Sequence, residues 1–96
     1  MGHSRRKILI SISGSDLDYI RLALKEFTVR EGENNPFIFV LDRLIKKEIK
    51  DSPKGNLELS RGAKAGVSRA LEMASRCLLV SDRDRRAYRC LVKKFL

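Results

Sequence analysis

Arg6-Lys7-Ile8-Leu9-Ile10-Ser11-Ile12 carries the strongest strand signal in the chain. Isoleucines at 8, 10 and 12 alternate with Lys7, Leu9 and Ser11, the period of a strand with one buried face. A lone strand leaves its apolar face uncovered and its edge groups unpaired. No other stretch of the chain alternates as well, so this strand is expected to pair with its own copy in a second chain. A basic strand that dimerises ahead of two helices is a shape suited to reading a DNA groove.

Beyond this strand, Ser15 is a suitable helix cap with Asp18 three residues on. Leu17, Ile20, Ala23, Leu24 and Phe27 then form one helical face, with Gly32 as the expected stop. Asn34-Asn35-Pro36 is a second start signal, an Asn cap followed by Pro in the first turn. The helix it opens, expected over 36–50, carries Phe37, Ile38, Val40, Leu41, Leu44, Ile45 and Ile49. That apolar surface is wider than one packing layer needs, as in a dimer core. Phe37-Ile38-Phe39-Val40-Leu41 also has strand propensity, but the spacing of Leu41, Leu44, Ile45 and Ile49 favours helix.

Pro53 and Gly55 interrupt any helix at 51–56, which reads as a linker between a unit at 1–50 and a helical hairpin at 57–96. The first helix of the hairpin is marked by Ala63, Val67, Ala70, Leu71, Ala74, Cys77 and Leu78, a stripe of small residues that permits close approach. Ser81 caps the last helix, whose apolar face is Tyr88, Leu91, Val92 and Phe95. Asp82 and Asp84 near its start and Lys93 and Lys94 at its end suit the helix dipole.

The 96 residues carry 21 Lys and Arg against 12 Asp and Glu, a net charge of +9, and the isoelectric point is about 10.1. Such a balance favours a polyanionic partner: DNA, RNA, anionic lipid or an acidic protein. The charge concentrates in the Arg5-Arg6-Lys7 arm, at Lys46, Lys47 and Lys50, and beyond residue 56. No segment is long and apolar enough to span a membrane, the apolar run behind the arm is too short for a signal peptide, and a cytoplasmic location is expected. Cys77, Cys90 and the lone His3 make neither a metal site nor a nucleophilic constellation, so no metal, cofactor or catalytic residue is expected. The cysteines read as reduced thiols, with a redox pair between two packed helices as the minor alternative.

The order strand, helix, Gly-containing turn, Asn-Pro, helix over residues 6–50 resembles the ribbon-helix-helix family of DNA-binding repressors and plasmid-maintenance proteins. The resemblance implies a mainly α (α+β) ribbon-helix-helix dimer, here with an added C-terminal helical hairpin. It also implies that Ile8, Ile10 and Ile12 face the core while Lys7, Leu9 and Ser11 contact bases in the major groove. Arg5 and Arg6 would hold phosphates, as would Asn34 and Asn35 at the start of the second helix. A repressor, or an accessory of plasmid or phage DNA processing, is the role that follows.

Two further patterns lie outside that unit. Ala63-Lys64-Ala65-Gly66-Val67-Ser68-Arg69 is similar to the turn of helix-turn-helix repressors, yet the apolar stripe running through it favours one continuous helix. Arg83, Arg85, Arg86 and Arg89 form a secondary basic patch able to grip phosphate or an acidic surface. The hairpin at 57–96 is a candidate for assembly beyond the dimer. The alternative reading of the whole chain is a small basic protein-binding modulator, of a viral kind, whose helical surface occupies an acidic or nucleic-acid-binding site on a larger complex.

Overall fold

The computed structural model describes residues 7–53 and 55–96. Its elements run β1 (Ile8–Ser11), α1 (Gly14–Glu31), α2 (Phe37–Asp51), β2 (Asn56–Leu59), α3 (Arg61–Ser75) and α4 (Asp82–Lys94). The fold is mainly helical, with one small antiparallel sheet in which β1 pairs with β2.

That pairing corrects the expectation that β1 finds its mate in a second chain. Its partner is Asn56-Leu57-Glu58-Leu59 of the same chain, in the register Ile8↔Leu59, Leu9↔Glu58, Ile10↔Leu57 and Ser11↔Asn56. Residues 56–59 therefore belong neither to a linker nor to a helical hairpin. Ile10, Leu57 and Leu59 are buried on the inner face, and Ile8 and Ile12 pack against the same core, as the alternation required. Burying each leucine stabilises the fold by roughly 1.5–3 kcal/mol. The turn into β2 uses Gly55 at φ +86, a conformation that costs side-chain-bearing residues strain. The Gly55 carbonyl accepts from the Ile12 N–H at 3.0 Å, extending the ladder by one bond.

α1 begins two residues earlier than the sequence suggests. Ser13 and Asp16 form a reciprocal capping box, a pairing that Ser15 and Asp18 mimic at the same spacing. Gly32 does end α1, in a right-handed conformation; a Cβ there would come within 2.5 Å of the Thr28 carbonyl oxygen and 2.7 Å of the Phe39 ring. Pro36 precedes α2, and the Asn35 side chain accepts from the Phe37 N–H at 3.1 Å.

α3 is one unbroken helix through Gly66, so the helix-turn-helix alternative does not form. A Cβ at Gly66 would meet Ile45 and Leu41 of α2 at 2.9 and 3.0 Å. The glycine thus lets α2 and α3 approach, which explains its place in a helix that it otherwise weakens. α3 sits centrally, packed against α1, α4 and α2, with Ala63, Val67, Ala70, Leu71 and Ala74 buried. It ends at Ser75, earlier than its apolar stripe implies. Cys77 lies in the loop that follows, and Leu78 and Leu79 are exposed at its tip.

One polar network ties these elements together. Glu48 of α2 is 6% exposed, and its carboxylate accepts from both the N–H and the hydroxyl of Ser60, the latter at 2.9 Å. Ser60 in turn caps α3 by accepting from the Ala63 N–H. Ser52 donates to the Glu48 carbonyl and accepts from the Glu58 N–H. Removing the carboxylate strands a buried donor, so Glu48→Ala is expected to cost roughly 2–3 kcal/mol in chemical denaturation. Glu48→Gln, which keeps an acceptor, should cost less; equal losses would refute the assignment.

Candidate nucleic-acid interface

α4 gathers positive charge on one face because its apolar residues claim the other. Ser81 caps it through the Asp84 N–H, and Tyr88, Leu91 and Phe95 are buried at helical spacing. Opposite them Arg83, Arg86, Arg89 and Lys93 are exposed, along about 15 Å of helix.

Arg85 does not share that face. Its guanidinium lies 3.2 Å from the Asp82 carboxylate and donates to the carbonyls of Cys77 and Val80 at 3.2 and 3.4 Å. It therefore fastens the α3–α4 loop. Asp84 is likewise engaged, accepting from the Tyr19 hydroxyl at 2.8 Å, and Lys94 pairs with Asp16 at 3.5 Å. Both acids of α4 are thus committed elsewhere. Among the described residues, Arg83, Arg86, Arg89 and Lys93 hold no ion pair or side-chain hydrogen bond. By contrast Arg30 and Arg76 are paired along their own helices with Glu26 and Glu72.

Tyr19 and Tyr88 lock α1 onto α4, their rings meeting edge-to-face with centroids 5.3 Å apart. The hydrogen bond to Asp84, which needs the phenolic proton, raises the Tyr19 pKa above its ordinary 10.0, with burial and the Asp84 charge adding to the effect. Burial, followed by the charge of Asp84, raises that of Tyr88.

The other expected contact residues are dispersed. Lys7, Leu9 and Ser11 do lie exposed on the outer side of β1, but Glu58 stands across the register from Leu9, and Lys94 reaches the Ser11 carbonyl at 3.4 Å. The strand beside this face is β2 of the same chain, and the face is not uniformly basic. Arg5 and Arg6 lie outside the described residues. Asn34 and Asn35 are exposed at the far end of α1 from β1. The N–H groups of Phe37, Ile38 and Phe39 are already taken by Asn35 and Pro36, which leaves the start of α2 few donors for a phosphate. Phe37, Val40 and Leu44 stay exposed on α2, an uncovered part of the wide apolar face noted in the sequence. Cys90 is exposed on α4 and Cys77 half-buried, both as free thiols. Among the described residues there is no cluster of His, Cys, Asp and Glu able to hold a metal ion, and no helix is long and apolar enough to cross a membrane.

What sequence reasoning missed is the division of labour within the arginine cluster. Arg85 differs from its neighbours only in its angle on the helix, and Lys93 completes the free face at seven residues from Arg86. Comparison of the chain with known protein families, with curated proteins and with solved structures finds no match.

Two measurements check this geometry. Arg85→Ala is expected to lower stability by about 1–2 kcal/mol through the lost loop bonds, whereas Arg86→Ala should change it by less than about 0.5 kcal/mol. A phenolate absorbance titration should show both tyrosines ionising above 10.0. Because their folded-state pKa values exceed the unfolded ones, their contribution to stability is complete below that pH. It is lost as pH rises through the folded values.

Proposed function

We propose that this chain binds duplex DNA, and that the exposed face of α4 grips the phosphate backbone. The observation that carries the reading is the row Arg83, Arg86, Arg89 and Lys93, four exposed cations without acidic partners among the described residues. A paired arginine must be freed before it binds an anion; an unpaired one loses only water and side-chain freedom.

The chemistry of the face favours a duplex over a single strand. Single-strand binders stack bases on exposed aromatics, and the aromatics of α4, Tyr88 and Phe95, are buried. Among duplexes, the B-form major groove admits an α-helix, whereas that of A-form RNA is too deep and narrow for side chains to read. The proposed contacts are to phosphate, which fix affinity and orientation and carry no sequence information by themselves. Self-association through the exposed stripe of α2 would present two such helices to one duplex.

The test is a titration of a duplex of about 20 base pairs at several salt concentrations. Four phosphate contacts predict a slope of about −3.6 in log affinity against log salt, a loss of roughly 100-fold between about 50 and 200 mM. Arg86→Ala with Arg89→Ala should flatten the slope by about 1.8, leaving the helical circular dichroism intact. An unchanged slope in that variant would remove α4 from the interface.

A further inference from the structure

A second concentration of charge is concave and lies away from α4. Between α1 and α2 runs an open groove of about 540 Å³. Arg21 and Lys25 stand on its α1 wall, Lys46 and Lys50 on its α2 wall, and all four are exposed. The residues of each pair are four apart, hence neighbours on one helix face about 5–6 Å from each other. Two short ladders of cations therefore face each other across the groove.

Between the ladders the groove is apolar. Leu24 and Ile49 line it from the two walls, and Val29 lies at 66% exposure toward one end. Asp42 is the one carboxylate of the lining. Its Oδ2 is 2.9 Å from Lys46 Nζ, while its Oδ1 is buried without a hydrogen-bond partner. Arg21, Lys25 and Lys50 have no ion-pair partner among the described residues.

We propose that this groove docks an acidic amphipathic helix of a partner protein. Carboxylates spaced four residues apart along both flanks of such a helix would meet the two cation ladders. The apolar row between them would cover Leu24 and Ile49, the helix-in-groove mode of peptide recognition. Charge complementarity selects this occupant. A phosphate backbone matches the cations but has nothing to lay on the apolar floor. A second copy of this chain brings a strongly basic molecule to a basic groove. The site does not depend on the DNA reading, because none of its residues belongs to α4.

The experiment uses two fluorescent peptides of identical Glu, Leu and Ala content. One is patterned as an acidic amphipathic helix and the other is scrambled. Fluorescence anisotropy on the whole chain should show one patterned peptide bound per chain, at least ten-fold tighter than the scrambled one. Arg21→Glu with Lys50→Glu should weaken it at least ten-fold, and Arg86→Glu with Arg89→Glu should leave it within two-fold. Amide NMR shifts on adding the patterned peptide should centre on Leu24 and Ile49, a readout that stands even if the groove variant fails to fold. Equal binding of the two peptides would overturn the proposal. So would displacement of the patterned peptide by duplex DNA in the α4 variant, or shifts at Leu24 and Ile49 with a free fatty acid but not with the peptide. Loss of DNA binding alone in the α4 variant would bear on α4 and not on the groove.

Discussion

The antiparallel pairing of β1 with β2 is the constraint from which the rest of this structure follows. Four residues near the start of the chain meet four that come after α2, so α1 and α2 are forced to leave and return as a helical pair. Closing so long a loop is entropically unfavourable, and burial of Ile10, Leu57 and Leu59 offsets that cost. α3 starts immediately beyond β2, capped by Ser60, whose hold on Glu48 joins the returning end of α2 to the start of α3. With α3 fixed in the middle, α4 has one surface on which to lay Tyr88, Leu91 and Phe95, and its cations are turned outward.

The helices were legible because their signals are local. Asn35-Pro36 and Ser81 announced the starts of α2 and α4, and the core positions of α1 fell on one face as expected. The partner of β1 was not legible. Asn56-Leu57-Glu58-Leu59 is four residues long, uses leucine where strands favour β-branched or aromatic side chains, and follows a Pro and Gly turn. Only a contact far away in sequence makes it a strand. The end of α3 was obscured for a similar reason: Cys77 and Leu78 continue the apolar stripe, yet the loop carbonyls of Cys77 and Val80 are held by Arg85. Of the candidate interface, the arginine cluster was visible in the sequence. Which of its members is already bonded depends on Asp82, Asp84 and Tyr19 and emerges only in three dimensions. The groove was invisible, since its cation ladders come from two helices.

Eight of the cations stand on two surfaces of different chemistry, four on α4 and four along the groove. The face of α4 is convex, cationic and without exposed aromatic rings, suited to a stiff, highly charged ligand. The groove between α1 and α2 is concave and floored by aliphatic side chains, suited to a ligand with apolar as well as acidic groups. The proposed nucleic-acid contact and the proposed protein contact thus draw on different residues, so the two readings suggested by the composition do not compete for one surface.

The partner of β1 in solution can be measured directly. An equimolar mixture of isotopically labelled and unlabelled chains separates contacts within a chain from contacts between chains by filtered nuclear Overhauser spectroscopy. Cross-strand contacts of Leu9 with Glu58 and Ile10 with Leu57 are expected, all within one chain. Contacts between the β1 strands of two different chains in place of these would contradict that pairing.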